Sequence, residues 1–397
     1  MDIYFQSDKF KQLLHRYEVL QEDNISEFLD PEELTDVAEY YHYIGEDQKA
    51  LETADYATQM YPTATVPLAF KARMALLSDN NPQLADEIAE MIIDKSDLDY
   101  LYLKAEIMIV DNNTSEADDF LQKQYDEIIS AEECEDYILD VAALFSDYEE
   151  TEYVEKWLNR STKTEDNDYK ELHAHILKNR GKYKESETIL NELLDTNPYS
   201  GPYWNQLAQN QLLRNDIQDS ITSSEYSIAI NPDDEEAILN KANGLFTLGN
   251  YEESLKYYER YKRLCHHQGT SIVDVTIGHI YLMQGNASEA QRYYHLALAE
   301  TENKSLTLIH IGISTFDNGY VEYAYNIFST LLPEMEDEWD IGFAYLARCC
   351  YELKLKEEFK IYLQQAVERN PEESIEVLSD LYPEGTNPQD YPNIRIL

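Results

Sequence analysis

Ten small residues recur along this chain at a nearly constant step: Ala38, Ala72, Ala105, Ala142, Ala174, Ala208, Ala242, Gly278, Gly312 and Ala347. The intervals are 34, 33, 37, 32, 34, 34, 36, 34 and 35 residues. A fixed period in this range is the mark of a stacked repeat array, in which each unit contacts mainly its neighbours. That narrows the fold more than any other property of the chain.

The small residue has companions in phase. Seven positions later comes a turn residue, often glycine: Gly45, Gly181, Gly249, Gly285 and Gly319. Twelve positions later stands another small residue, at Ala50, Ala117, Ser186, Ser220, Ser254, Ala290 and Ala324. Prolines close several units, at Pro62, Pro198, Pro232 and Pro371. Two helices approach closely only where neither carries a bulky side chain. The glycine supplies a left-handed residue to end the first helix, and the proline falls where the second must stop.

These residues resemble the tetratricopeptide repeat (TPR) family, whose pattern runs W-x2-L-G-x2-Y, then A-x3-F-x2-A, then P. Pro31–Pro62, Gly201–Pro232 and Asp340–Pro371 match well, the second with Trp204, Leu207 and Ala208 at the first motif positions. Gln268–Glu302 matches with Gly278, Tyr281, Gly285, Ala290, Tyr294 and Ala297. Residues 64–97 lack the glycine turn, and residues 131–165 carry Val154 where a small residue is usual. The resemblance implies an all-α fold, a right-handed superhelical solenoid of antiparallel helix pairs.

The expected organisation has three parts. Residues 1–30 hold a capping helix, with Phe10, Leu13, Leu14, Tyr17 and Leu20 at helical spacing. Residues 31–371 hold ten tandem repeats, irregular around 130–168, where steps of 37 and 32 flank Ala142 and the polar run Ser161–Asp168 follows. Residues 372–397 hold a last capping helix and an extended tail rich in proline, ending in the apolar Ile394, Ile396 and Leu397.

Charge is the second constraint. The chain has 31 basic and 78 acidic residues, a net of −47. Residues 1–150 hold 37 acidic and 9 basic residues, a net of −28; the remainder holds 41 and 22, a net of −19. Such a surface favours solubility and steers basic partners. Direct nucleic-acid binding is disfavoured, because phosphates need a Lys/Arg stripe.

No stretch approaches the length of an apolar membrane span, and the first 25 residues carry charges instead of an apolar leader core. Four cysteines without paired metal spacing point to a reducing compartment, with the cytoplasm as the default. The 33 tyrosines sit mainly where a repeat expects an aromatic wedge.

No nucleotide-binding, hydrolase, zinc-protease or calcium-loop motif is present, so neither an enzyme nor a cofactor is expected. Acid clusters such as Asp233–Glu236 and Glu334–Glu338 lie at expected helix starts, where carboxylates favour the positive end of the helix dipole. The cluster Cys265–His266–His267 falls in a turn and reads as polar surface rather than a metal site.

The resemblance implies that the first helix of each unit lines a concave groove. Carried over by phase, its C-terminal part presents Leu239, Asn243 and Phe246, then Val275, His279, Leu282 and Met283. Ile309, Ile313 and Phe316 follow, then Arg348 and Tyr351. That row is apolar, with Asn243, His279 and Arg348 as polar anchors, and suits an extended segment or amphipathic helix. The lysines of a carboxylate clamp for peptide C-termini are absent from it. The expected function is a non-enzymatic scaffold for a protein or peptide segment, basic or amphipathic. The alternatives are a self-assembling solenoid, with this face buried between copies, and a chaperone-like holder of a basic client.

Overall fold

The computed structural model describes residues 3–23, 28–78, 80–127, 134–265, 269–301, 303–332, 340–394 and 396, the side chains of 3, 6 and 21–23 aside. Glu334–Glu338, His266, His267 and Leu397 lie outside the described residues. Among the described residues every regular element is helical; the fold is an all-α, TPR-like solenoid of helix pairs. It divides into two compact units, Met1–Arg214 and Asn215–Leu397.

The first unit opens with α1 (Ile3–Gln6) and α2 (Asp8–Asp23). Helix pairs follow: α3 (Pro31–Tyr43) with α4 (Asp47–Met60), α5 (Thr65–Leu77) with α6 (Pro82–Ala89), and α7 (Leu98–Val110) with α8 (Thr114–Glu127). Next come α9 (Cys134–Asp147) with α10 (Thr151–Leu158), α11 (Asn167–Asn179) with α12 (Tyr183–Thr196), and α13 (Gly201–Leu213) packed on α12. The second unit holds α14 (Ile217–Ile230), packed against α15 (Glu235–Thr247), which pairs with α16 (Tyr251–Leu264). The pairs α17 (Ser271–Met283) with α18 (Ala287–Glu300), α19 (Lys304–Asp317) with α20 (Val321–Leu331), and α21 (Phe343–Glu352) with α22 (Lys356–Arg369) follow, then α23 (Pro371–Leu378).

All ten recurring small residues are buried. Their partners explain the choice of residue. Ser186 donates to the Ala174 carbonyl at 2.7 Å, and Ser254 to that of Ala242 at 2.9 Å. The helices are thus close enough for a hydroxyl on one to reach the backbone of the other, which satisfies a polar group that burial would otherwise penalise. Gly278 and Gly312 lie under larger neighbours. A Cβ built on Gly278 would fall 2.4 Å from the Tyr294 ring, and one on Gly312 would fall 2.7 Å from Phe328. Alanine does not fit there unless the ring shifts.

Helix ends follow local chemistry. Asp30 and Glu33 form a reciprocal capping box at the start of α3, at 2.8 and 3.2 Å, with Pro31 in the first turn. Each closing proline stands two residues beyond its helix: Pro62 after α4, Pro198 after α12, Pro232 after α14 and Pro371 after α22. Pro371 also opens α23.

The turn seven residues after the small position is left-handed in every described copy. Gly45, Gly181, Gly249, Gly285 and Gly319 have φ between 71° and 83°. Asn112, Glu149, Asn215 and Lys354 adopt the same conformation with side chains attached, at 59°, 59°, 66° and 62°. The hydrogen bonds are shared as well. The Glu150 amide donates to Phe145 O at 3.0 Å, as the Asn250 amide does to Leu245 O at 2.9 Å.

At the start of the first unit, Phe10, Leu13 and Tyr17 of α2 bury against Leu34, Val37 and Ala57, and the Tyr17 hydroxyl meets Thr53 Oγ1 at 2.8 Å. In the irregular stretch, the fully buried Trp157 donates to Asp118 Oδ1 at 2.9 Å, and Arg160 lies 4.0 Å from its ring. The polar run after α10 is tied back to α9. Glu135 accepts from the Thr162 amide at 3.1 Å and from Ser161 Oγ at 2.8 Å.

At the end of the second unit, the Glu373 carboxylate accepts from the amides of Gly342 and Ala344 at 2.8 and 3.1 Å, capping α21 from α23. The last segment forms two short 3-10 helices, Ser379–Leu381 and Pro388–Asn393. Pro388 opens the second, and Asn387 caps it by accepting from the Gln389 amide at 3.0 Å. Tyr382 and Tyr391 stack with ring centroids 3.9 Å apart, and Ile394 and Ile396 pack onto the same core.

Candidate binding faces of the two units

Each unit presents a row of side chains from its first helices. In the first unit, Arg73 on α5 clamps Glu106 on α7, with Nε to Oε2 at 3.0 Å and Nη2 to Oε1 at 3.1 Å. This bidentate pair joins equivalent positions of successive repeats, each one residue after the small one. Beside it, burial raises Asp147, with Glu106 adding to the effect, and pushes Tyr148 up to about 12. Further along, His175 Nδ1 lies 2.8 Å from Ser146 Oγ, and Lys178 reaches Gln209 at 3.3 Å. Burial lowers His175, with Lys178 acting in the same direction.

The residues expected to line the C-terminal groove all fall on first helices of the second unit. Leu239, Asn243 and Phe246 stand on α15, and Val275, His279, Leu282 and Met283 on α17. Ile309, Ile313 and Phe316 stand on α19, and Arg348 and Tyr351 on α21. Their exposure is uneven. Val275, Leu282 and Ile309 are buried in helix packing, whereas Met283 is 47 % exposed. Leu239, Asn243, Phe246, His279, Ile313, Phe316, Arg348 and Tyr351 are half-buried.

The three polar residues of that row all have partners within the unit. Asn243 Oδ1 accepts from the Tyr258 hydroxyl at 2.7 Å. His279 Nδ1 contacts Ser314 Oγ at 2.9 Å and Asn318 Nδ2 at 3.2 Å. Arg348 grips Asp380 with both terminal nitrogens, Nη2 to Oδ2 at 2.9 Å, and donates to Glu352 at 3.0 Å and Val377 O at 3.2 Å. The first helix of the last pair is thereby bound to the segment that follows α23.

Two acids stand near this row, one of them at the repeat position five residues after the small Gly312. Asp317, at the end of α19, and Glu376, on α23, are exposed and have no ion-pair partner among the described residues. Burial raises Asp317; His279 offsets part of this and Glu376 adds to it. Both acids also act on Tyr345, whose hydroxyl burial pushes well above its ordinary range. Glu376 lies outside the repeat pattern, so nothing in the period announced it.

A second unanticipated feature is the ion pair between Lys262 on α16 and Asp274 on α17, whose side chains are 3 % and 0 % exposed. The Tyr293 ring lies 5.5 Å from the ammonium. The second oxygen of Asp274 has no partner among the described residues, and burial raises its pKa against the pull of Lys262.

The acids at Asp233–Glu236 serve the start of α15: Asp234 accepts from the Ala237 amide at 3.0 Å and from Ser227 Oγ at 2.7 Å. Cys265 donates to Glu235 at 3.3 Å, and burial pushes its thiol up to about 11. All four cysteines are free thiols. Among the described residues no group of three or more His, Cys, Asp or Glu side chains could hold a metal ion. No described helix is long and apolar enough to cross a membrane.

No family model matches the chain, and no curated protein does. Several solved structures are similar. A tetratricopeptide repeat protein from Parabacteroides merdae is 14% identical with a TM-score of 0.48, covering 66% of this chain and 97% of that one. PilF of Pseudomonas aeruginosa is 14% identical with a TM-score of 0.40, covering 54% and 97%. The APC/C Cut9–Hcn1 hetero-tetramer is 16% identical with a TM-score of 0.38, covering 91% and 85%. Likeness at these values carries nothing about partners over to this chain.

Proposed function

We propose that this chain is a tetratricopeptide repeat protein of ten units that works without catalysis, as a scaffold holding a segment of another protein in a groove along its first helices. The observation that carries this reading is the mixed character of the row in the second unit. Leu239, Phe246, Ile313, Phe316 and Tyr351 keep part of their surface in water, and Met283 is exposed. Asp317 and Glu376 add negative charge nearby without a cation to neutralise it among the described residues. A partly exposed apolar strip beside free acids suits an amphipathic segment with basic residues. The net charge of −47 would speed the approach of such a partner. Four free thiols fit a reducing compartment, and we place the protein in the cytoplasm.

A photo-crosslinking residue in place of Met283, compared with one in place of Lys256 on the second-helix side, tests the reading in cells. A partner captured at 283 and missed at 256 is expected, and capture should weaken when Asp317 is replaced by lysine. Equal capture from both positions would refute the groove reading.

A further inference from the structure

His279 sits where helices of three successive pairs meet in the second unit. Its ring meets the edge of Phe246 on α15, with centroids 6.0 Å apart. Its Nδ1 faces Ser314 Oγ at 2.9 Å and Asn318 Nδ2 at 3.2 Å. The same Asn318 nitrogen donates to the Ser314 carbonyl at 2.8 Å. A carbonyl only accepts, so the amide must present its nitrogen on this side, and an amide nitrogen only donates. Nδ1 is therefore an acceptor, and the imidazole is neutral with its proton on Nε2. Ser314 Oγ is also 2.7 Å from the Tyr294 hydroxyl on α18, which extends the chain of hydrogen bonds to a third helix.

We propose that His279 is a proton-operated latch on the turn that ends α19. When Nδ1 gains a proton it becomes a donor. It then opposes the Asn318 N–H across 3.2 Å, and that bond is lost. Ser314 has to turn its hydroxyl from donating to accepting. Asp317 is the charged group acting on the ring from α19. On the other sides α15 offers Phe246, α18 reaches the site through the Tyr294 hydroxyl, and on α17 itself Asp274 is committed to Lys262. The imidazolium therefore turns to Asp317 and releases Asn318. The residues after Asn318 close the turn, with the Gly319 amide on Phe316 O at 2.8 Å and the Tyr320 amide on Thr315 O at 2.9 Å.

Burial lowers the His279 pKa from its ordinary value of about 6.5. The latch is closed at neutral pH and opens as the pH falls through that lowered value. Over the same window the unfolded chain takes up this proton more readily than the folded one. The stability that His279 contributes is thus full above about pH 6.5 and is lost below it.

Hydrogen exchange of the Gly319 and Tyr320 amides in the full chain, corrected for intrinsic rates, tests the latch. In the wild type, protection should fall by about tenfold as the pH is lowered from neutral through the titration of the ring, as for loss of one hydrogen bond. His279→Asn places a neutral amide near the Nδ1 position and should abolish this pH dependence. Asp317→Asn should move the opening to lower pH. Imidazole nitrogen shifts of the wild type give a readout that needs no variant: a proton must arrive at Nδ1 over the range in which the turn opens. Protonation without loss of protection, or the same loss in His279→Asn, would overturn the proposal.

Discussion

Gly278 lies directly beneath the ring of Tyr294, so close that a Cβ there would fall 2.4 Å from Cε1 and 2.8 Å from Cδ1. The ring cannot swing away freely, because its hydroxyl is 2.7 Å from Ser314 Oγ. Alanine is the better helix former by about 1 kcal/mol, but overpacking a rigid site costs about 1–3 kcal/mol. Gly278→Ala should therefore destabilise the chain, by up to about 2 kcal/mol. Adding Tyr294→Leu should remove the steric part. A denaturant titration showing the single variant at or above wild-type stability would contradict the packing account.

Glu149 and Lys354 invite the opposite change. Both hold a left-handed turn at φ 59° and 62°, where a side chain costs about 1–2 kcal/mol. Glycine removes that strain and adds some unfolded-state entropy, so Glu149→Gly and Lys354→Gly should each stabilise by about 0.5–1 kcal/mol. Asparagine tolerates the conformation, so Asn112→Gly and Asn215→Gly should change little. Thermal melts of the four variants make the comparison. Equal shifts at all four sites would remove strain as the cause.

Removing one partner of the buried Lys262–Asp274 pair leaves a charge without compensation. Lys262→Met or Asp274→Asn should each cost about 3–5 kcal/mol. The double change Lys262→Met with Asp274→Leu should recover most of that loss, since two apolar side chains leave nothing to desolvate. Losses that simply add would show that the two groups act independently.

Much of the architecture was legible because close helix contact restricts residue type. Ala38 through Ala347 marked the contact points, and glycines at 45, 181, 249, 285 and 319 marked turns. The turns at Asn112, Glu149, Asn215 and Lys354 carried no such label. Only their phase, seven residues after a small one, could have found them. The candidate groove was legible in part. The repeat phase assigned its residues to first helices, but burial depends on what the neighbouring helix lays over them. Val275, Leu282 and Ile309 are consequently covered while Met283 is not. The carboxylate that Arg348 grips, Asp380, lies 32 residues on, past the last repeat match, where periodicity is silent.

Ser186 Oγ donates to the Ala174 carbonyl on α11 while accepting from Asn210 Nδ2 on α13 at 2.7 Å. One oxygen of α12 thus fastens the helices on either side of it. Under tension, peeling α13 away loads the contact between α11 and α12 through that same atom. This part of the array would then yield as a block of three helices, with a higher rupture force than stacking alone would provide.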